Sequence, residues 1–161
     1  MGQDKNILTL LKTELEDQFG GGGVDVFNKL NVRDWGSFFR IGERLSFEHD
    51  AFILREGQSG EAVYFLADGV VRVERQIGDD TIELARINAG CIFGELTFLD
   101  GAEISANVIA DGYVEVVRVA SPDLRNLMDE DSRFASHFYH SFAVTLSRRL
   151  RATNKIVSKL E

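Results

Sequence analysis

The chain is expected to form a mainly β domain with flanking helices, an α+β arrangement. Three observations predict this. From about Glu43 to Val119, runs rich in Val, Ile and Phe recur at about 8–12-residue spacing, divided by Gly and Asp, the grammar of a β-sandwich or barrel. On both sides the apolar residues recur at helical spacing instead. The 161 residues suffice for one core and a short appendage.

The first segment, 1–23, places Ile7, Leu8, Leu11, Leu15 and Phe19 on one side of an amphipathic helix. Four glycines, Gly20 to Gly23, then stop it, because glycine leaves the backbone too free for a helix. They read equally as a hinge or as a plain loop. Helical spacing resumes from Val24 to Gly42, with Asn31 or Asp34 as candidate cap. Phe27, Leu30, Trp35, Phe38, Phe39 and Ile41 are its candidate core residues.

The β region, within a unit drawn at 24–122, opens after that helix. "VVRVERQ", "IGDD" and "TIELARI" form a hairpin signal, with Val71 and Val73 on one strand, Ile82 and Leu84 on the other and Gly78 in the turn. Gly57, Gly60, Gly69, Gly90 and Gly94 mark further turns. Strand 113–119, "YVEVVRV", closes the region. Ser121, followed by the sole proline, Pro122, reads as a helix N-cap.

The tail, 123–161, is expected to be helical. Tyr139, Ala143, Leu146, Leu150, Thr153, Val157 and Leu160 step by four and three, a heptad seam with one polar member. It would serve as a homodimer interface or as the face packed on the β-domain.

Several functions are disfavoured. The net charge of -8 lacks the basic footprint of a nucleic-acid binder, and "SRRLR" at 147–151 reads as a solvated helix face. No apolar run approaches the roughly 20 residues of a membrane span. The acidic N-terminus does not resemble a secretory signal, and a single cysteine, Cys91, permits no internal disulfide. Cytoplasmic residence is therefore expected. Cys91 reads as a buried small apolar residue. His137 and His140 are three apart on a helix, and His49 stands alone. No third ligand accompanies them at a useful spacing, so no metal site is expected. Walker-type, GxSxG and HExxH signatures are absent from the sequence, and no catalytic residues are assigned.

One stretch does carry a binding signature. A helix, then "EGQSGEAVYFLADGVVRV", then "GCIFGELTFLDGAEISANVIA", then a long helix with "LSRRLRATN" resembles a cyclic-nucleotide-binding domain. That is the regulatory module of CRP/FNR-type regulators, cAMP-dependent kinases and cyclic-nucleotide-gated channels. The match covers roughly residues 25–155. The resemblance implies an antiparallel β-roll of jelly-roll type with a phosphate-binding cassette. Phe93, Gly94, Glu95 and Leu96 match the cassette's start, and Ser105 and Ala106 match its end. By resemblance, Glu95 accepts a bond from the ribose 2′-hydroxyl and Gly94 admits the sugar. The amides of Glu95 and Leu96 begin a short helix whose positive end suits an anion. Ser105 Oγ and the Ala106 amide face a phosphate oxygen.

The pattern breaks where the phosphate-pairing arginine of the family would stand: here it is Ile104. Glu103 replaces a frequent proline and Asn107 a frequent threonine. Hydrogen bonds to charged groups contribute about 1.5–3 kcal/mol, about ten- to a hundredfold in affinity. Three readings follow. The domain keeps the fold but has weakened or lost cAMP and cGMP binding, and acts as a regulatory or dimerisation module. Alternatively it still senses a cyclic nucleotide, weakly or with a borrowed arginine, and signals through its C-terminal helix. A third possibility is an unrelated ligand in the barrel pocket, catalysis included. The sequence shows no recognition helix before Glu161, so no DNA binding is expected and output runs through an unknown effector protein.

Overall fold

The computed structural model describes residues 29–160. The helix expected before Gly20, the glycines themselves and Phe27 lie outside the described residues.

Helix α1, Val32–Arg40, begins with a reciprocal cap. Asn31 Oδ1 accepts from the Asp34 amide at 2.9 Å, and Asp34 Oδ2 accepts from the Asn31 amide at 2.9 Å. Two otherwise orphaned amides are satisfied at once. Leu30 and Phe38 enter the core, as expected. Phe39 does not: it is 39% exposed and packs sideways on Trp35 and Phe65, at ring distances of 5.5 and 5.0 Å.

Six antiparallel strands follow: β1 (Glu43–Phe47), β2 (Phe52–Leu54), β3 (Ala62–Ile77), β4 (Asp80–Asn88), β5 (Ile92–Phe93) and β6 (Asn107–Ala120). Their order is β1-β6-β3-β4, with β2 on β6 and β5 on β3. The long strands β3 and β6 form the spine, paired from Ala62↔Ala120 to Glu74↔Asn107. The ladder shifts register on both sides of Asp68. Gly69 sits at that bulge with φ +91, and a Cβ there would lie 2.4 Å from the Tyr113 carbonyl oxygen. Only glycine fits, and the bulge lets the sheet curl into a roll.

Curling gives both strands two buried faces. Val63, Val117 and Val119 pack under the helices, while Tyr64, Leu66, Val114 and Val116 fill the roll. The near-continuous apolar runs in both strands follow from this. Cys91 is buried within the roll, as expected. The β3–β4 hairpin turns at Gly78. Its register shifts after Val73: Val71 faces Ile87, Val73 faces Ala85, and Ile82 lies opposite Arg75.

A short helix, α2 (Glu95–Asp100), joins β5 to β6. Two helices form the tail, α3 (Ser121–Glu130) and α4 (Ser132–Leu160). Ser121 is already helical and its amide donates to the Glu61 carbonyl oxygen at 2.9 Å, so the cap falls on Ala120 rather than Ser121. Asp131 breaks the tail in two: it leaves helical geometry, and its Oδ1 accepts from the Phe134 amide at 3.0 Å. Such a carboxylate satisfies an orphan donor at the start of α4.

Phe134, Phe138 and Phe142 recur every four residues on α4 and are almost fully buried. The heptad residues take another face. Tyr139, Leu146, Leu150, Val157 and Leu160 are 39–62% exposed, and Ala143 is exposed too. None of them belongs to the buried core; the Thr153 side chain lies outside the described residues.

Replacing Gly69 by valine should cost about 2 kcal/mol or more, from the positive φ alone. Urea unfolding monitored by circular dichroism would show a lowered midpoint; an unchanged midpoint would mean the bulge relaxes freely.

Candidate ligand-binding cassette

The cassette is the connection between β5 and β6, so the spine fixes both its ends. Phe93 pairs with Tyr64 across β5 and β3, and their rings stack at 5.2 Å. Gly94 then turns the chain with φ +78 and ψ +7. A Cβ there would meet the Ala62 carbonyl oxygen at 3.2 Å and the Tyr64 ring at 3.4 Å, in a backbone conformation that side chains rarely adopt. The turn starts α2, with Glu95 only 5% exposed. Thr97 Oγ1 donates back to the Gly94 carbonyl oxygen at 3.1 Å, tightening the first turn.

The far end of the cassette is zipped to the turn after β2. The Ile104 amide donates to the Gln58 carbonyl oxygen at 2.9 Å, and the Gly57 amide donates to the Ile104 carbonyl oxygen at 2.8 Å. Ser59 and Glu103 form an isolated bridge beside them. Asn107 Oδ1 accepts from the Glu56 amide at 2.8 Å.

These segments enclose a cavity of about 150 Å³. Phe93, Gly94, Glu95, Leu96, Ser105 and Ala106, the residues singled out from sequence, all line it. Asn107 is not among its lining residues; its side chain ties the two loops together. Ile104 lines the cavity and is 8% exposed. Leu54, Val73, Ile87 and Val108 complete the apolar wall. These four come from β2, β3, β4 and β6: Val73 and Val108 fall within the stretches quoted for the resemblance without being singled out there, and Leu54 and Ile87 lie outside them.

Among the described residues, no cation lines the cavity. Arg55, Arg86 and Arg72 each adjoin a lining residue in sequence, and Arg72 alternates with Val71 and Val73. It is occupied elsewhere: it meets Asp50 at 2.9 Å, Glu74 at 2.9 Å and Asp111 at 3.1 Å. Arg86 adds ion pairs to Asp111 and Glu83. The Arg72 guanidinium is held still more firmly protonated, foremost by its bond to Glu74. Burial works to raise the Asp111 carboxyl, but the bonds from Arg72 and Arg86 outweigh it and hold it below the usual carboxylate value.

The cassette also touches the helices. Phe98 of α2 meets Phe138 of α4 edge-on at 6.3 Å, and Phe138 stacks on Phe38 of α1 at 6.3 Å. His137 joins α4 to α1: its Nδ1 lies 2.6 Å from Asp34 Oδ2, a carboxylate that is buried. His49 Nδ1 accepts from the Gly112 amide at 2.8 Å. Among the described residues, no group of three or more His, Cys, Asp or Glu could hold a metal. No helix among them is long and apolar enough to cross a membrane.

An antiparallel roll capped by helices, with a Gly-Glu turn between its fifth and sixth strands, defines a class of ligand-responsive regulatory modules. The model of the cyclic nucleotide-binding domain matches residues 44–131, more than half of the chain, and the chain belongs to that family. It is 34% identical over 100 residues to the cyclic AMP receptor protein of Thermus thermophilus, covering 62% of this chain and 44% of that protein. It is 29% identical over 132 residues to cyclic GMP-binding protein C of Dictyostelium discoideum, covering 76% of this chain but 5% of that one. The chain thus spans less than half the length of either relative. The crystal structure of the Thermus thermophilus catabolite activator protein superposes with a TM-score of 0.73 at 28% identity, over 84% of this chain and 62% of that one.

Two outcomes test this geometry. Replacing Asn107 by alanine removes the acceptor for the Glu56 amide and should cost about 1 kcal/mol. The Glu56 and Ile104 amides should then exchange hydrogen faster, while the β3–β6 ladder keeps its protection. Asp111 has a lowered carboxyl in the folded state, so its contribution is present above its unfolded value and is lost as pH falls through the folded one. Asp111→Asn should therefore lower the melting temperature at pH 7 by about 3 °C, from about 1 kcal/mol for a partly exposed network. That gap should start to narrow as pH falls below about 4 and close only beneath the folded value.

Proposed function

We propose that this is a regulatory domain of the cyclic-nucleotide-binding type in which recognition of cAMP and cGMP is weakened or lost. Its output is the disposition of α4, which acts as a homodimer seam and faces an effector protein. The observation that carries this reading is Ile104: an aliphatic side chain, buried in the cavity wall, at the cassette position where the family pairs the cyclic phosphate with arginine. A cyclic phosphate seated there would meet no cation from the described lining, only Ser105 and backbone amides, and a buried charge without an opposite charge is costly. Cavity size supports the same reading, since about 150 Å³ is below the roughly 300–1,000 Å³ of sites that enclose drug-sized ligands.

The retained Gly94 turn and buried Glu95 favour a second reading, a weak sensor. Differential binding to two states of the domain would then be needed to move α4. The aromatic chain Phe98–Phe138–Phe38 supplies a contact route from cassette to helices in either case. The exposed heptad stripe supports the seam, because apolar residues at that spacing gain most when paired with a second helix.

Calorimetric titration separates the readings. The wild-type domain should show no saturable heat with cAMP or cGMP below millimolar concentration, and Ile104→Arg should strengthen nucleotide binding by about ten- to a hundredfold. Tight wild-type binding would refute the loss. Leu146→Asp or Leu150→Asp should halve the sedimenting mass; an unchanged mass would refute the seam.

A further inference from the structure

We infer that α4 carries a second docking surface, a basic ridge opposite its apolar seam, and that the ridge receives an acidic segment of the effector protein. The inference rests on the reading of α4 as the output helix and names the chemistry of what that helix meets.

Charge is unevenly divided along the chain. Helix α4, Ser132–Leu160, holds six of the 18 lysines and arginines and none of the 26 acidic residues. A protein of net charge -8 thus contains one long helix without a carboxylate side chain. Five of those six cations, Arg148, Arg149, Arg151, Lys155 and Lys159, stand in its distal half.

Spacing makes one surface of four of them. Arg148, Arg151, Lys155 and Lys159 step by three, four and four, so they share a helix face, and all four are exposed. At 3.6 residues per turn that face lies about 180° from Leu146, Leu150, Val157 and Leu160, and the ridge runs for about 16 Å. Two copies paired through the apolar seam therefore leave a ridge open on each outer side.

The ridge is unfavourable in the free domain. Arg151 and Lys155, at its middle, meet no carboxylate among the described residues. Like charges four positions apart repel along a helix, as Arg151 with Lys155 and Lys155 with Lys159 do. The helix dipole offsets this only in the last turn, at Lys159. An acidic partner relieves the repulsion and gains ion pairs. The acidic excess outside α4 selects the kind of anion. Duplex nucleic acid would extend past the ridge into that excess. A lipid surface would meet it too, and would take up the apolar stripe that the seam uses. A short carboxylate-bearing segment meets the ridge alone.

Oligoglutamate, with oligoglutamine of equal length as control, provides the test. Nitrogen–proton correlation spectra of the intact chain report both affinity and place. Oligoglutamate should saturate shifts at Arg148, Arg151 and Lys155 and bind at least about tenfold more tightly than oligoglutamine. Its affinity should fall about tenfold as ionic strength rises from about 0.01 to about 0.15 M. Arg151→Glu combined with Lys155→Glu should abolish binding and leave the sedimenting mass unchanged.

Equal affinity for the two peptides would overturn the inference. So would shifts confined to other surfaces, or none at millimolar oligoglutamate. Tighter binding of duplex DNA or of phosphatidylserine vesicles would assign the ridge to another partner and overturn it as well. Should the double variant fail to fold, the comparison of ligands on the wild-type chain decides alone. Sedimentation of the same sample keeps the two claims apart. A monomer would sink the seam and leave the ridge standing, whereas a dimer silent toward oligoglutamate would sink only this inference.

Discussion

A charge can be buried only against an opposite charge or a full set of hydrogen bonds, and this constraint divides the domain into two regions. On one face of the β3–β6 spine the rule is satisfied in full. Arg72 meets three carboxylates, and Arg86 binds one of them again. On the other face lies the cassette, where the described residues lining the cavity include no Lys or Arg. The strand period of two makes the division strict. Val71 and Val73 face inward, so Arg72 faces outward and its guanidinium cannot be lent to the cavity without a change of register.

The same spine explains why the shape of the cassette does not depend on the side chain at position 104. Its two ends are anchored in β5 and β6, its middle is the short α2, and its exit is zipped to the Gly57–Gln58 turn by backbone bonds. None of these supports uses the side chain at position 104. An arginine there would contribute to binding rather than to folding, so an aliphatic replacement leaves the scaffold intact and even gains a buried wall residue. Fold and ligand recognition are thus separable in this domain, in keeping with sites being grafted on folds.

Much of this was legible in the sequence. The β region, the Gly-Glu turn, a cap at Asn31 or Asp34 and the burial of Cys91 follow from local pattern. What escaped was non-local. The shift after Val73 re-pairs the hairpin, and no local spacing announces a bulge. The cap slipped from Ser121 to Ala120 because the Ser121 amide finds Glu61, sixty residues away. The break at Asp131 was hidden by helical periodicity on both sides. Four of the cavity's walls come from four strands, and His137 meets Asp34 across 103 positions of sequence. The seam on α4 could be spelled out as a heptad, but only the structure shows that those side chains leave the chain's own core to the phenylalanines beside them.

The central claim is that the pocket lacks the positive charge a cyclic phosphate requires. A crystal grown with saturating cAMP tests it most directly. The account predicts a cassette free of nucleotide, with Ile104 still closing the wall beside Glu95. A nucleotide seated there, its phosphate gripped by a guanidinium from a second copy or from another part of the chain, would contradict it.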